Sequence, residues 1–385
     1  MKHEILEQMD GYGDIAKEIE ISRKYGQDFS MERGEVARYI NRLHPATIKY
    51  KITEIIDESP STKTFRLAAQ NNYLPPFQAG QYVSLFLEVN NIRTSRPYSI
   101  SSSPDQTGHF DITVRRMENG LISNYMLDSL VVGDEIESSG PTGVFHYNPL
   151  IHDKTMVCLA GGCGITPFMS MVREITSRGL DRTIYLFYGS QGIDDMPFHS
   201  ELTELSNKFN NINYIPVLEN PDSGSQCKSG FITGDLIKDV LGGVGDKSFF
   251  ICGPQAMYNF CVPELEKLGI ARRKIRREMF GTPARIVEYN GWPDEIKGED
   301  LFQISVNGSE SFQSAAGVSL LVALENQGLV VPSICRSGEC SMCRVKILSG
   351  KVFQPAGTPV RASDSQFGYA HSCVSYPLEN LDILL

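Results

Sequence analysis

A chain of 385 residues, 41% apolar and 21% charged, has the make-up of a globular protein and the length of two or three domains. Its net charge of −10 excludes nucleic acid as a partner unless a basic face is concentrated somewhere on the surface. The one dense basic run, Arg272-Arg273-Lys274-Ile275-Arg276-Arg277, reads as solvated surface or as a docking patch for an acidic partner.

No stretch approaches the ~20 apolar residues of a membrane-spanning helix. MKHEILEQMDGYGDIAKEIE lacks the apolar run of a signal peptide, so a cytoplasmic location and no membrane span are expected. In that reducing compartment the nine cysteines should be thiols or metal ligands rather than disulfides.

Residues 1–47 are charged, with Ile15 and Ile19, and then Val36, Tyr39, Ile40 and Leu43, at helical spacing. Short amphipathic helices follow, serving as a packed cap or as a partner-docking arm. From 48 to 150, YKITEII, TKTFRLA, QYVSLFLEV, RPYSIS and FDITVRR are short, β-branched and aromatic, and divided by turn residues. They predict an antiparallel barrel or sandwich. From 151 to 281, TMVCLA, TIYLFY, INYIPV and KSFFIC alternate with helical stretches, which predicts a parallel sheet with a binding crevice at the strands' carboxyl ends. The polar, Gly- and Pro-containing stretch 282–299 reads as a linker. From 300 to 385, LFQISV and SFQS flank the turn Asn307-Gly308, and VSLLVALENQ forms a helix that Gly328 ends.

Four places carry chemistry. Gly161-Gly162-Cys163-Gly164-Ile165-Thr166-Pro167 joins a strand to a helix that begins near a proline. Such a turn lets backbone approach a phosphate at a helix N-terminus, or it is simply tight. Cys252-Gly253-Pro254 ends the fourth strand of the parallel sheet beside the same crevice, either as a site residue or as a buried thiol before a turn. Arg96-Pro97-Tyr98-Ser99 offers an arginine fork for phosphate and, two residues on and on the same strand face, an aromatic ring. As part of that same third place, Gly120-Leu121-Ile122-Ser123 about twenty residues later opens a helix and offers a second pyrophosphate site.

The fourth place is Cys335-x4-Cys340-x2-Cys343, completed by Cys373 after 29 residues. That is the spacing of a plant-type [2Fe–2S] centre; structural zinc, the alternative, usually takes two close cysteine pairs. His371 reads as a hydrogen-bonding residue or a further ligand.

With these motifs in this order, the chain resembles the ferredoxin–NADP⁺ reductase-like flavin oxidoreductases joined to a ferredoxin domain, over residues 48–385. The resemblance implies a multidomain fold. It comprises an antiparallel β-barrel for FAD, an α/β domain with a parallel five-stranded sheet for NAD, and an α+β β-grasp ferredoxin domain, beside the short helical extension. It assigns Arg96 to the flavin phosphate, Pro97 and Tyr98 to the isoalloxazine, and Ser99 to its N5. Thr113 and Val114 would add flavin contacts, and Gly120, Ile122 and Ser123 would cradle the pyrophosphate. Gly162, Gly164, Ile165, Thr166, Pro167, Tyr188, Gly189 and Ser190 would line the nucleotide site. Tyr98, Ser99, Cys252, Glu278 and Phe280 would form the hydride-transfer site, with Gly253, Pro254 and Phe280 also touching cofactor. Cys335, Cys340, Cys343 and Cys373 would hold the cluster.

The loop Ser190-Gln191-Gly192-Ile193-Asp194-Asp195 carries aspartates rather than the arginine or lysine a 2′-phosphate would want, so NADH is expected. The activity implied is electron transfer from NADH through FAD and the cluster to a protein acceptor: an oxygenase, a desaturase, a hybrid-cluster protein or another metalloenzyme. The other readings are the electron-transfer subunit of a larger flavoenzyme complex and a non-enzymatic redox sensor.

Overall fold

The computed structural model describes residues 12–25, 47–70, 73–221, 225, 227–279, 281 and 285–385. It divides into two units, Met1–Ala46 and Thr47–Leu385. The described part of the first is one helix, α1 (Tyr12–Tyr25). The helical spacing at Val36, Tyr39, Ile40 and Leu43 lies outside the described residues.

In the second unit, β1 (Ile48–Ser59), β2 (Thr62–Ala69), β3 (Tyr82–Val89), β4 (Ile92–Ser99), β5 (Phe110–Arg115) and β6 (Glu135–Ser138) form an antiparallel sheet of order β4-β3-β6-β1-β2-β5. α2 (Leu121–Ser129) precedes β6. The chain just beyond β4 returns to β5, with Ile100 opposite Ile112 and Ser101 N–H donating to Asp111 O at 2.8 Å, and so closes the barrel. β1 begins with strict alternation: Ile48, Tyr50 and Ile52 point inward, and Lys49 and Lys51 point to water. β6 is a strand that composition did not signal. Its four residues, EIES, are polar or charged except Ile136, and they pair with both β1 and β3.

β7 (Thr155–Gly161), α3 (Thr166–Arg178), β8 (Thr183–Ser190), α4 (His199–Lys208), β9 (Ile212–Leu218), β10 (Lys228–Ser229), α5 (Gly234–Leu241), β11 (Lys247–Cys252), α6 (Gln255–Lys267) and β12 (Ile275–Glu278) follow. All strands are parallel, in the order β10-β9-β8-β7-β11-β12. Five long or medium strands match the expected sheet, and the two-residue β10 adds a sixth at one edge. Along β7, Met156, Cys158 and Ala160 pack with α3 and α4, and Val157 and Leu159 pack with α5 and α6. The sheet is therefore covered on both faces, which is why its strands read as continuous apolar runs. The basic run is part of this sheet: Ile275, Arg276 and Arg277 lie in β12, Arg272 pairs with Glu266, and Lys274 pairs with Asp153.

The last sheet has order β14-β13-β19-β15-β17, from β13 (Leu301–Val306), β14 (Glu310–Ala315), β15 (Arg344–Ser349), β17 (Tyr369–His371) and β19 (Leu381–Leu384). β16 (Val352–Phe353) and β18 (Tyr376–Pro377) pair separately. α7 (Leu320–Asn326) packs Leu320, Leu321 and Leu324 onto this β-grasp sheet, and α8 (Ala362–Gln366) precedes β17. Asn307 and Gly308 both take positive φ at the β13–β14 turn, as a tight hairpin requires. The described part of the expected linker is packed rather than a free spacer. Ile286 and Trp292 join Ala316 and Tyr376 in a small core, and Trp292 Nε1 donates to Ile296 O at 2.7 Å. Among the described residues no helix is long and apolar enough to cross a membrane.

Candidate active site and cluster site

The carboxyl ends of β7, β8 and β9 open onto a cavity of 520 Å³. Gly161, Gly162 and Gly189 form part of its wall, and Ser190, Gln191 and Pro254 line it as well. Gly162 is left-handed, and a Cβ on it would lie 2.9 Å from the Arg115 guanidinium. Gly164 is tighter: its Cβ would lie 2.1 Å from the carbonyl oxygen of Cys252. The GGCGITP and CGP turns therefore touch main chain to main chain, because β7 and β11 are neighbours with Ala160 opposite Cys252.

Other residues of the first turn serve the fold. Ile165, Thr166 and Pro167 are buried, and Thr166 Oγ1 donates to Cys163 O at 2.7 Å. Tyr188 is fully buried with no hydrogen-bond partner for its hydroxyl. Sequence reasoning missed Arg115, Glu219, Phe231 and Phe260, all of which line the cavity. Glu219 directly follows β9, so its place at a strand's carboxyl end was the available signal.

The specificity loop needs a correction in detail. Asp195 does not line the cavity. Its carboxylate accepts from Ser59 Oγ at 2.5 Å and Ser61 Oγ at 2.6 Å, and it pairs with Arg115. Burial opposes its charge, but these three partners outweigh burial and hold the carboxyl below the usual range. Asp195 thus ties the loop to the barrel, and Glu219 is the acid that lines the cavity.

On the barrel side, Arg96, Pro97, Tyr98 and Ser99 follow one another along β4. Pro97 stands opposite Ser84, and the Tyr98 ring packs against the barrel core. Ser99 is buried directly opposite Tyr82. Thr113 Oγ1 is 2.8 Å from Thr64 Oγ1, and the Val114 side chain lies wholly within the barrel core. Those two residues offer a ligand only their main chain. Ile122 is likewise buried, and Ser123 Oγ accepts from Met117 N–H at 3.2 Å. At α2 no side chain caps the N-terminus and no acid occupies the first turn, which leaves N–H groups open to an anion.

Cys252 and Glu278 are opposite one another on β11 and β12. Burial, then the nearby Glu278 carboxylate, pushes the Cys252 thiol well up. Burial, then Glu339, raises the Glu278 carboxyl, whose Oε2 has no partner. Burial thus favours the neutral form of both groups. Gly143, at φ +109°, makes room for Tyr82 and Glu278 together: a Cβ there would lie 2.9 Å from the Tyr82 ring and 3.6 Å from Glu278 Oε1. Burial raises the Tyr82 hydroxyl, and so do Cys335 and Cys340, whose field it feels alongside those of Glu339 and Glu278. Phe280 lies outside the described residues. Cys252 is expected to escape alkylation by iodoacetamide in the folded protein at mildly alkaline pH and to label only after denaturation. Peptide mass spectrometry checks this; prompt labelling of the folded protein would count against the buried, neutral thiol.

The four cysteines of the C-x4-C-x2-C…C set converge. The thiols of Cys340 and Cys373 donate toward Cys335, and the N–H groups of Ser337 and Cys340 lie 3.4 and 3.3 Å from its sulfur, all of which lowers the Cys335 thiol. Cys343, lowered to about 7, is paired first with Cys373. Gly338 is left-handed, and a Cβ on it would lie 2.6 Å from Thr358 Cγ2. Among the described residues no three His, Cys, Asp or Glu side chains are set around a single ion. A two-iron cluster takes two thiolates on each iron, so four thiols in pairwise contact suit it chemically. His371 is fully buried, with Nδ1 2.6 Å from Gly338 O and Nε2 2.8 Å from Asp364 Oδ2. It is a hydrogen-bonding residue.

The comparisons agree with this geometry. Residues 49–147 match the oxidoreductase FAD-binding domain, 158–262 the oxidoreductase NAD-binding domain, and 304–378 the 2Fe-2S iron-sulfur cluster binding domain. The chain belongs to the ferredoxin–NADP⁺ reductase-like flavin oxidoreductases that carry a plant-type [2Fe–2S] domain. It is an oxidoreductase whose cofactors are FAD, NADH and a [2Fe–2S] cluster. It is 29% identical to the glycine betaine monooxygenase reductase subunit of Chromohalobacter salexigens, covering 86% of this chain and 94% of the relative. It is 28% identical to the NADH oxidoreductase HCR of Escherichia coli (86% and 96% covered) and 33% identical to NADH-cytochrome b5 reductase 1 of Dictyostelium discoideum (59% and 80%). Phthalate dioxygenase reductase shares the fold, with a TM-score of 0.66, 24% identity, and 88% of this chain and 98% of that one covered.

Proposed function

We propose that this chain is the reductase component of an oxygenase system, with flavin, nucleotide and cluster domains at 48–150, 151–281 and 300–385. The observation that carries the reading is the placing of β3, which sets Tyr82 opposite Ser99 of the hydride site and, two residues on, donates from Ser84 Oγ to Ile334 O at 3.0 Å, directly beside Cys335. A two-electron site and a one-electron site are thereby brought together in one body. Bound flavin supplies the conversion between hydride and single electrons, and the cluster supplies the one-electron store.

The chain's own residues bind and orient. Arg96 holds the flavin phosphate, the open N-terminus of α2 holds the pyrophosphate, and Tyr98 covers the ring. Gly162, Gly189 and Ser190 admit the nicotinamide nucleotide. Ser99, Cys252 and Glu278 would flank the nicotinamide, and burial favours the neutral forms of Cys252 Sγ and Glu278. Cys335, Cys340, Cys343 and Cys373 hold the cluster. An oxygenase is the acceptor in this reading because the glycine betaine monooxygenase reductase subunit is similar over nearly its full length.

Specificity for NADH rests on Glu219, whose carboxylate repels a 2′-phosphate. Steady-state reduction of ferricyanide tests this directly. NADH should be clearly preferred, and Glu219→Lys should raise kcat/KM for NADPH by about tenfold, equivalent to about 1.4 kcal/mol. A wild type that prefers NADPH would refute the assignment.

A further inference from the structure

The strand that carries Arg96, with its neighbour β3, meets the cluster loop through a run of polar contacts. Ser84 Oγ donates to Ile334 O at 3.0 Å, and Ser95 Oγ lies 2.7 Å from Ser333 Oγ. Arg336, the residue after Cys335, forms a buried two-pronged pair with Glu325, at 2.7 Å to each carboxylate oxygen. Arg336 Nη1 also donates to Thr94 Oγ1 and to Ser95 O, each at 3.1 Å. Arg96 Nη1 donates to the same two atoms, at 2.6 and 2.7 Å. Thr94 Oγ1 in turn donates to Glu325 Oε1 at 3.0 Å.

Two guanidinium groups, one from the barrel and one from the cluster loop, therefore share a hydroxyl and a carbonyl, while the one carboxylate at the junction, Glu325, pairs with Arg336. No carboxylate among the described residues pairs with Arg96. Burial, then the facing Arg336, pushes Arg96 down to about 10. The junction holds one half-buried positive charge in excess, which calls for an anion. Arg336 also keeps a left-handed backbone, φ 51°, a conformation that a non-glycine residue holds only when its surroundings impose it.

We propose that Arg336 is a positioning residue that links flavin loading to docking of the cluster domain. The phosphate at Arg96 supplies the missing negative charge, and the Arg336–Glu325 pair fixes the cluster loop against the strand that holds that phosphate. The inference rests on Arg96 being the phosphate ligand. Linkage of this kind is reciprocal: what weakens docking weakens flavin binding, and removal of flavin loosens docking.

Replacing one member of a buried pair strands the other's charge, so the two are replaced together, Glu325→Gln with Arg336→Met. The flavin-stripped variant is expected to bind FAD about tenfold more weakly in a fluorescence titration. Its 282–299 segment is expected to be cut faster by protease while the EPR signal of the reduced cluster persists. Stripping FAD from the wild type should speed the same cleavage. Thr94→Val removes the shared hydroxyl from the barrel side, leaves the Arg336–Glu325 pair intact, and should act in the same direction. FAD affinity equal to wild type in both variants overturns the coupling. Arg96→Gln separates the two claims. If it keeps wild-type FAD affinity, the phosphate assignment falls and the coupling with it; if it alone loses FAD, the coupling falls by itself.

Discussion

Cys340→Ser is expected to abolish NADH-driven reduction of cytochrome c while ferricyanide reduction continues. Cys335, Cys343 and Cys373 are buried, whereas Cys340 is partly exposed, so the change removes one thiolate with little disturbance of the core. Its N–H still reaches Cys335 Sγ, and the loop keeps its left-handed residues Arg336, Gly338 and Ser341. A serine alkoxide is a harder ligand and a poor match for an iron–sulfur cluster. The nucleotide cavity and the Ser99–Cys252–Glu278 group lie on other elements and stay intact. Parallel assays with the two acceptors, alongside the visible spectrum of bound flavin, decide the matter. Loss of both activities in a folded, flavin-bound variant would show that the cluster is not a separate downstream carrier.

Gly164→Ala should be far more damaging than Gly162→Ala, although both change the same turn. At Gly164 the new methyl would meet the Cys252 carbonyl, which belongs to the rigid end of β11, and neither strand can yield without breaking the β7–β11 register. Overpacking of this kind costs about 3 kcal/mol. If the turn shifts instead, misplacement of the hydride site costs about a hundredfold in flavin reduction by NADH. At Gly162 the obstacle is the Arg115 guanidinium, a flexible side chain that can swing away, so the main penalty is the left-handed backbone, about 1–2 kcal/mol. Stopped-flow bleaching of the flavin and thermal melts of both variants check the ranking. Equal damage would mean that the turn, not its contact with CGP, sets the site.

Most of the fold was readable because its signals are local. Alternating β1, the covered strands β7 to β11 and the Asn307-Gly308 hairpin each carry their pattern within a few residues. β6 escaped because EIES carries one apolar residue, and its place comes from the two strands it joins. The packed Trp292 segment escaped because its polar composition hides Ile286 and Trp292, whose partners, among them Ala316, Phe353 and Tyr376, come from distant parts of the chain. In the nucleotide loop, two aspartates looked equivalent in sequence. Asp195 is drawn away from the cavity by Arg115, and that residue comes from a different sheet.

The spacing of Cys335, Cys340, Cys343 and Cys373 pointed to a two-iron cluster, and the family resemblance carried by RPYS, GLIS, GGCGITP and CGP in that order implied FAD and a nicotinamide nucleotide, all without any structure. Ligand number and phosphate-binding turns are properties of short stretches of chain, so they survive in sequence. The tertiary structure alone decided how these parts face one another. Glu278 lies beside Cys252, Ser84 of the barrel bonds the cluster loop at Ile334, Glu219 rather than Asp195 lines the nucleotide cavity, and Arg336 shares its acceptors with Arg96. Each of these pairings joins residues tens to hundreds of positions apart, and electrostatics depends on distance in space. A linear sequence does not record that distance until the sheets have closed.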